Sequence, residues 1–331
     1  MPRTKLSPGG AISTIGTVRN FMSLIREMSF DEEREQAERM PHLLVITPSD
    51  EIGRRIGDLL TGDSGSPAVS VWTLDAATRN TDAYDVVVVN DPTSNKSFRQ
   101  VRDKAGFDAA RVLDLSLGPI EDGPWVQLFR QRIAAAVPDT APALGRWFPA
   151  FRSAATKAVI EETARVNAQF AVVANVPSVI PVIGSLVSAG ADFFVLTKNQ
   201  VMMVFKLAAI NGRDLNDQWG IIREMLPVVG AGFLWRTLAR EATSFLPFMA
   251  GTIPKVAIAY TGTAAAGHAA DFYYRFEKKP DREQLKEFYA QASESLKRQP
   301  IPIGHDKGAT ATSDQTRTPV ETSSESAGAP G

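Results

Sequence analysis

Polar side chains follow two apolar runs in the first half of the chain, and they are of the types that bind phosphate groups or divalent cations. The first run is LLVI at 43–46, and the second is DVVVV at 85–89. Ligands of open α/β sheets bind beyond the carboxyl ends of the strands, so residues directly after such runs are the first candidates. The candidate ligand-binding residues are Ser49 and Asp50 after the first run, and Asn90, Asp91 and Thr93 after the second.

The loop after the first run lacks the groups with which proteins hold nucleotides. A P-loop needs G-x-x-x-x-G-K-[ST] and a dinucleotide site needs G-x-G-x-x-G, whereas this loop reads TPSDEIG. Pro48 has no N–H to offer a phosphate group, and Asp50 and Glu51 would repel one. The other interpretation is structural, with Ser49 or Asp50 capping the helix that follows.

The loop after the second run also has a chemical and a structural interpretation. Asp91 could hold Mg²⁺ through water, yet an aspartate before Pro92 is typical of a turn, and Asn95 can cap the next helix. A GTPase would carry its guanine-reading N-K-x-D near RVLDLS at 111–116, which has no such pattern. In a phosphoacceptor receiver domain the acceptor aspartate would fall at Asn90. We therefore expect no catalytic residue and no cofactor.

Composition removes further classes of site. The 331 residues include no cysteine, which excludes disulfides, thiol nucleophiles and cysteine-based metal sites. The three histidines, His42, His268 and His305, are far apart in the sequence, so we expect no metal site. With 36 basic and 37 acidic residues the net charge is −1, and the sequence has no basic stripe interleaved with aromatics, which argues against nucleic acid as a partner.

The order of apolar patterns predicts an α/β part followed by an all-α part. Short β-rich runs alternate with helical stretches at first, which predicts a small four-stranded parallel sheet, doubly wound, with no strand that has a face in water. The runs lie at 43–46, 69–72, 85–90 and 111–115. From about residue 140 only helical patterns remain, which predicts an apolar helical bundle. Its helices are expected near 144–174, 186–211, 215–226, 228–246, 249–278 and 281–298.

These patterns divide the chain into four segments. Residues 1–40 form an N-terminal helical arm, with an amphipathic helix over 11–28 and a second helix at DEEREQAER. Residues 41–140 form the α/β domain and residues 141–299 the helical domain. Residues 300–331 are rich in Ser, Thr, Gly, Ala and Pro, which predicts a disordered tail.

One helical stretch, residues 166–191, has no charged residue over 26 positions, which is long enough to cross a bilayer. Pro177, Pro181 and Gly184 favour two helical pieces joined by a tight hairpin instead. Charged residues such as Arg236 interrupt most other apolar runs, and each costs about 2.5–3.5 kcal/mol at the centre of a lipid-facing helix. We therefore predict shallow or conditional membrane association and do not predict a firm transmembrane span.

A polar stripe marks the helix that follows. Asp192, Asn199 and Lys206 recur every seven residues and Gln200 lies beside Asn199, so these four residues share roughly one helix face. Such a stripe is either the solvated face of a bundle helix or a polar seam within a membrane-embedded or partner-binding bundle.

A family resemblance covers residues from about 178 to 280. The segment reads VIPVIG, then D-x-x-x-L-x-x-x-Q-x-x-M-x-x-x-L-A-A-I-N-G-R-D-L, then G-x-G-F-L-W-R-T-L-A-R-E and FLPFMAGTIPKVAIAYTGTAAAGHAADFYY. It resembles the YcjF-like, GTPase-associated helical domain of unknown function. The residues that carry the resemblance are Asp192, Leu196, Gln200, Met203, Gly212, Arg236 and Pro247.

This resemblance implies a bacterial, membrane-associated helical module that is often appended to an Era-like GTPase domain. The preceding α/β segment then resembles a degenerate Rossmann-like or GTPase-like domain without its nucleotide motifs. The family supplies no catalytic residues to carry over.

Three functions agree with these patterns. The leading hypothesis is a non-enzymatic interaction or scaffold protein on the cytoplasmic side of a membrane, peripheral or partly embedded. Its partners would be the lipid surface, a membrane protein, a GTPase or a second copy of itself. The first alternative is a nucleotide-binding or GTPase-like protein with a non-standard site around Asp50 and Asp91. The second is a soluble helical scaffold in the cytoplasm, which suits the mean hydropathy of −0.10.

Overall fold

The predicted parallel sheet forms from four short strands. The computed structural model describes Ser23 and residues 26–116, 123–173, 185–229 and 253–298. Leu43 of the first strand pairs with Val69 of the second and with Val86 of the third, which sets the register. The strands are β1 (Leu43–Thr47), β2 (Val69–Thr73), β3 (Val86–Val89) and β4 (Val112–Asp114), all parallel and in the order β2-β1-β3-β4.

Both faces of the sheet are covered, as expected for a doubly wound fold. The helices of this part are α1 (Asp31–Glu38), α2 (Asp50–Thr61), α3 (Lys96–Ala105) and α4 (Pro124–Ala136). Because side chains alternate along a strand, Val45 and Val88 join one core with α2, α4 and the later helices, whereas Ile46 and Val87 join a second core with Val101 of α3. The fold class predicted from the sequence is therefore confirmed for the α/β part.

The strand β2 differs from the prediction that no strand has a face in water. All five of its residues are partly exposed, whereas those of β1 and β3 are buried throughout. The cause is the strand order, because β2 lies at an edge of the sheet and pairs only with β1. The expectation is wrong for this strand.

Two glycines let α2 lie close to the sheet. Gly53 and Gly57 are four residues apart, so they share one helix face, and this face lies against β2. A Cβ atom at Gly57 would lie 2.6 Å from Cγ1 of Val69, and one at Gly53 would overlap Val71. Larger residues would push the helix away from the strands.

The second part of the described chain is helical. Its helices are α5 (Ala141–Trp147), α6 (Arg152–Val173), α7 (Ser185–Ile210), α8 (Gln218–Val229), α9 (Ile253–Phe276) and α10 (Arg282–Arg298). The helix predicted over 144–174 is interrupted by a short 3-10 turn at Pro149–Phe151, and α8 begins a few residues later than predicted. The helices predicted over 11–28 and 228–246 lie largely outside the described residues, and the tail at 300–331 lies outside them.

The helix α7 is the centre of the bundle. It packs against α1, α5, α6, α8 and α9, and nearly all of its residues from Val201 to Ile210 are buried. Phe30, directly before α1, packs its ring 4.8 Å from the ring of Phe205, measured between centroids. The described helix of the N-terminal arm therefore packs on the bundle.

The direction of the helices follows from four contacts. Thr156 and Asn167 of α6 bond to Asp271 and Thr263 of α9, respectively, so α6 and α9 run antiparallel. Gln200 of α7 also bonds to Thr263, and Met203 lies against Gly267 further along α9, so α7 and α9 run parallel. The carboxyl end of α6 and the amino ends of α7 and α9 therefore lie at one end of the bundle, which we call the α6–α7 end.

Sheet and bundle belong to one compact unit. The described residues all fall in this unit, and its main hydrophobic core extends from Leu43 and Val86 in the sheet to Leu207 and Ala270 in the bundle. Within the described ranges, no helix is both long enough and apolar enough to cross a bilayer.

Candidate functional site

The carboxyl ends of β1 and β3 lie side by side at the centre of the sheet. In the order β2-β1-β3-β4 the chain reverses direction across the sheet between these two strands, which is where doubly wound folds bind ligands. The N–H of Asn90 donates to the carbonyl of Ile46 at 2.8 Å, so the two candidate loops start next to each other. The structure thus brings together the loop with Ser49 and Asp50 and the loop with Asn90, Asp91 and Thr93.

The first loop serves as the start of α2. Ser49 has an extended backbone, and its Oγ accepts a hydrogen bond from the N–H of Ile52 at 3.4 Å, while its carbonyl accepts from Gly53 at 3.1 Å. The predicted N-cap at Ser49 is confirmed. Asp50 and Glu51 occupy the exposed first turn, where carboxylates interact favourably with the helix dipole. An anion that approached this helix end would therefore meet two carboxylates.

The carboxylate of Asp91 accepts hydrogen bonds from its own loop and from the first turn of α3. Its Oδ1 accepts from the N–H of Thr93 at 3.3 Å, from the hydroxyl of Thr93 at 3.0 Å and from the N–H of Ser94 at 3.0 Å. Its Oδ2 accepts from the hydroxyls of Ser94 and Ser97, both at 2.9 Å. A carboxylate has about four lone-pair sites, so five donors leave none of them for a ligand.

The charge on Asp91 follows from the same contacts. Burial raises the pKa of Asp91, but hydrogen bonds from the hydroxyls of Ser97, Ser94 and Thr93 outweigh burial and lower the pKa to about 2. The group is therefore an ionised carboxylate that fixes the start of α3. Among the described residues, no cluster of three or more His, Asp or Glu side chains could hold a metal ion.

The remaining polar groups at this edge, Asn90 and Thr47, are buried. Asn90 has 1% of its surface exposed, so its side chain is buried in the protein. The hydroxyl of Thr47, at the end of β1, is fully buried and has no hydrogen-bond partner within the described part. Sequence reasoning missed both the unpartnered Thr47 hydroxyl and the bond from Ser97 to Asp91, because neither a threonine that ends an apolar run nor a serine inside a helix predicts them.

A second polar group lies inside the helical bundle. We call Asn167, Asn199, Gln200 and Thr263 the amide cluster. The Nδ2 of Asn167 donates to Oγ1 of Thr263 at 2.9 Å, and the Nδ2 of Asn199 donates to Oδ1 of Asn167 at 2.8 Å. Gln200 donates to the same Thr263 hydroxyl at 3.4 Å. Since Asn167 and Thr263 are 0% and 1% exposed, these bonds compensate for buried polar groups.

The amide cluster contains only half of the predicted polar stripe. Asn199 and Gln200 turn towards α6 and α9, so they connect helices and do not merely face solvent. Lys206 is partly buried further along α7, and the side chain of Asp192 lies outside those described. The partners Asn167 and Thr263 were not predicted, because they are 32 and 63 or more residues away from the stripe along the chain.

The comparisons with known proteins do not extend these observations. No family model, no curated protein and no solved structure matches the chain. The resemblance to the YcjF-like domain therefore stays a prediction.

Proposed function

We propose that this chain is a non-enzymatic interaction or scaffold protein that associates with the cytoplasmic side of a membrane. The proposal that the chain is not an enzyme rests on Asp91, whose carboxylate accepts five internal hydrogen bonds. At the same edge, Ser49 caps α2, and Asp50 and Glu51 oppose an anion. The polar groups that could bind a nucleotide instead form hydrogen bonds within the loops and the helix starts. In this proposal the α/β part serves as a docking surface.

The membrane half of the proposal rests on the uncharged stretch 166–191. Its first residues end α6 and its last residues begin α7, and both of these helix ends belong to the α6–α7 end of the bundle. Residues 174–184 connect them and contain five Val or Ile residues and no charge. An uncharged, apolar connection between two such helix ends suits shallow insertion among lipid headgroups without a transmembrane helix.

Vesicle binding tests the membrane half. The full chain is mixed with vesicles of phosphatidylethanolamine and phosphatidylglycerol and is then sedimented. We expect co-sedimentation, release by detergent, and a loss of most binding in the double variant Val179→Asp and Ile180→Asp. A matched control places the same two charges at the exposed Ala290 and Gln291 of α10, and it should bind like the wild type. A wild-type chain that stays in the supernatant at every lipid concentration would remove the membrane claim and favour the soluble scaffold.

A nucleotide-binding protein is the second candidate function. It is favoured by the position of both candidate loops at the reversal point of the sheet and by the buried Thr47 hydroxyl, which has no partner in the described part. Calorimetry with GTP, ATP and their diphosphates in the presence of Mg²⁺ tests this candidate. Saturable heat that disappears in Asp91→Asn would support it. An absence of heat and of any thermal shift at millimolar nucleotide is the result that our proposal expects.

A further inference from the structure

The helix α10 is attached to the bundle through α9. Its one extensive contact among the described helices is with α9, and only two of its residues, Ala292 and Leu296, are buried. Every Lys, Arg and Glu of α10 is exposed. Among the described helices, an apolar seam with α9 therefore holds α10.

A histidine lies in this seam. Phe288 of α10 packs its ring against two residues of α9, with centroid distances of 6.1 Å to Phe272 and 6.0 Å to His268. His268 and Phe272 are four residues apart, so they present one face of α9 to α10. The imidazole thus contacts α10 through an aromatic ring, which offers an imidazolium N–H no hydrogen-bond acceptor in the ring plane.

The helix α10 is also built to persist when it is undocked. The carboxylate of Asp281 accepts from the N–H groups of Glu283 and Gln284, both at 2.9 Å, and the side chain of Gln284 accepts from the N–H of Asp281 at 2.9 Å. This reciprocal arrangement is a capping box, which stabilises a helix from its own sequence. The preceding turn contains Glu277 at a φ of 54°, a conformation that costs energy for a residue other than glycine.

We propose that α10 is a releasable cover of α9 and that protonation of His268 releases it. A neutral imidazole packs against Phe288 at little cost, whereas an imidazolium needs water or an acceptor around its N–H groups. The ring of His268 is partly buried in the docked state, and it becomes fully solvated when α10 moves away. Release would expose the face of α9 that carries His268 and Phe272.

The surroundings of His268 agree with this role. Burial lowers the pKa of His268 and is the sole cause of its shift, although partly buried titratable groups lie on each neighbouring helix. These groups are Glu161 and Glu162 on α6, Lys206 on α7, Glu224 on α8 and Tyr289 on α10. Burial raises the pKa of Tyr289, so this group stays neutral. Burial also raises the pKa of Asp271 on α9, but Asp271 bonds to Thr156 of α6 and to Arg275, away from Phe288.

The direction of the pH effect follows from these shifts. The docked state has a His268 pKa below the ordinary value, and the released state has a solvated imidazole with a pKa of about 6.5. Protons therefore bind the released state more tightly. Docking of α10 on α9 is therefore complete above about pH 6.5 and weakens as the pH falls below about 6.5.

Hydrogen exchange on the full chain tests the proposal. Amide exchange over 282–298 is measured at about pH 7.5 and about pH 5.0, with rates corrected for intrinsic chemistry. We expect protection of α10 to fall by at least about threefold at the lower pH, with the amides of α7 unchanged. His268→Phe keeps a ring in the seam without a titrating group, and it should hold the same protection at both pH values.

Two control variants and a second measurement make the outcome decisive. His42→Gln removes an exposed histidine and should respond to pH like the wild type, as should Asp271→Asn. Since the chain has no cysteine, spin labels at Ser153→Cys and Glu294→Cys report the separation of α6 and α10, which should widen at about pH 5.0 only when His268 is present. A pH response that persists in His268→Phe and in His268→Gln, or that is absent from the wild type, overturns the proposal.

Discussion

Asp91 accepts five hydrogen bonds from the next six residues, and this single side chain decides between two interpretations of its loop. Its type and its position after β3 suit a cation site, whereas its contacts suit a turn that starts α3. The sequence offered both interpretations, since D-P-T-S-N is typical of a turn and also places an acid at a ligand edge. The contact that distinguishes them comes from Ser97, whose orientation depends on how α3 packs against the sheet.

Replacement of Asp91 tests its structural role. In Asp91→Asn the amide nitrogen cannot accept the hydroxyl and N–H donors, and we expect a loss of about 1–3 kcal/mol in the free energy of unfolding. Urea denaturation followed by circular dichroism measures it. Asp103→Asn, on the exposed face of α3, should change stability by less than about 0.5 kcal/mol. An Asp91 variant as stable as this control would mean that the loop does not need the carboxylate.

At the scale of elements, the sequence predicted most helices and strands to within a few residues. The strand runs and the helix from Asp50 to Thr61 follow from apolar periodicity and from the cap at Ser49, which are local properties. The partial exposure of β2 was not predictable in this way, because it depends on which strand lies at the edge. Two of the four residues of the amide cluster, those on α7, were predicted from the spacing of polar residues within one helix. Their partners on α6 and α9 are distant in the sequence and were not predicted.

The contact between α2 and β2 depends on glycine at position 57. Alanine in a helix interior is usually favoured over glycine by about 1 kcal/mol. In Gly57→Ala the new methyl meets Val69, so we expect a net loss of about 1–2 kcal/mol instead. Chemical denaturation of Gly57→Ala, Val69→Ala and the double variant measures the coupling. Strictly additive effects of the two substitutions would show that the methyl finds room elsewhere.

The amide cluster joins α6, α7 and α9 by hydrogen bonds and fixes how far each helix is shifted along the others. In Asn167→Ala the buried hydroxyl of Thr263 loses a donor and Asn199 loses its acceptor, so we expect a loss of about 1–3 kcal/mol. Thermal and urea unfolding check this expectation. Gln169→Ala, on the exposed face of the same helix, is the matched control and should stay within about 0.5 kcal/mol of the wild type. Equal stabilities of the two variants would contradict a structural role for the cluster.

At the scale of the whole molecule, the sheet and the bundle share their main hydrophobic core. The change from alternating patterns to helical patterns near residue 140 is visible in the sequence, but the burial of Leu144 and Phe151 together with Leu43 and Val86 is not. Apolar residues on a sheet face and on a helix stripe predict that each will be covered, and they do not specify by what. The sheet and the bundle therefore share one hydrophobic core.

A shared core predicts cooperative unfolding. The indole of Trp72 reports on β2, and far-ultraviolet circular dichroism reports mainly on the bundle helices. In a variant that keeps Trp72 alone and replaces the other four tryptophans with phenylalanine, we expect the urea transitions of both signals to coincide. Two separated transitions, with the sheet unfolding before or after the helices, would show that the parts are independent domains.

The central claim is that the carboxylate at the ligand edge of the sheet is used for folding, and its own titration tests this claim most directly. Carbon-13 NMR of aspartate-labelled protein follows the side-chain carboxyl of Asp91, assigned from the signal that disappears in Asp91→Asn. We predict that this group stays ionised until the pH approaches about 2, or until the protein unfolds in acid. A titration midpoint in the folded protein near the ordinary value of about 3.9 would contradict the account, because the carboxylate would then be free to bind a ligand.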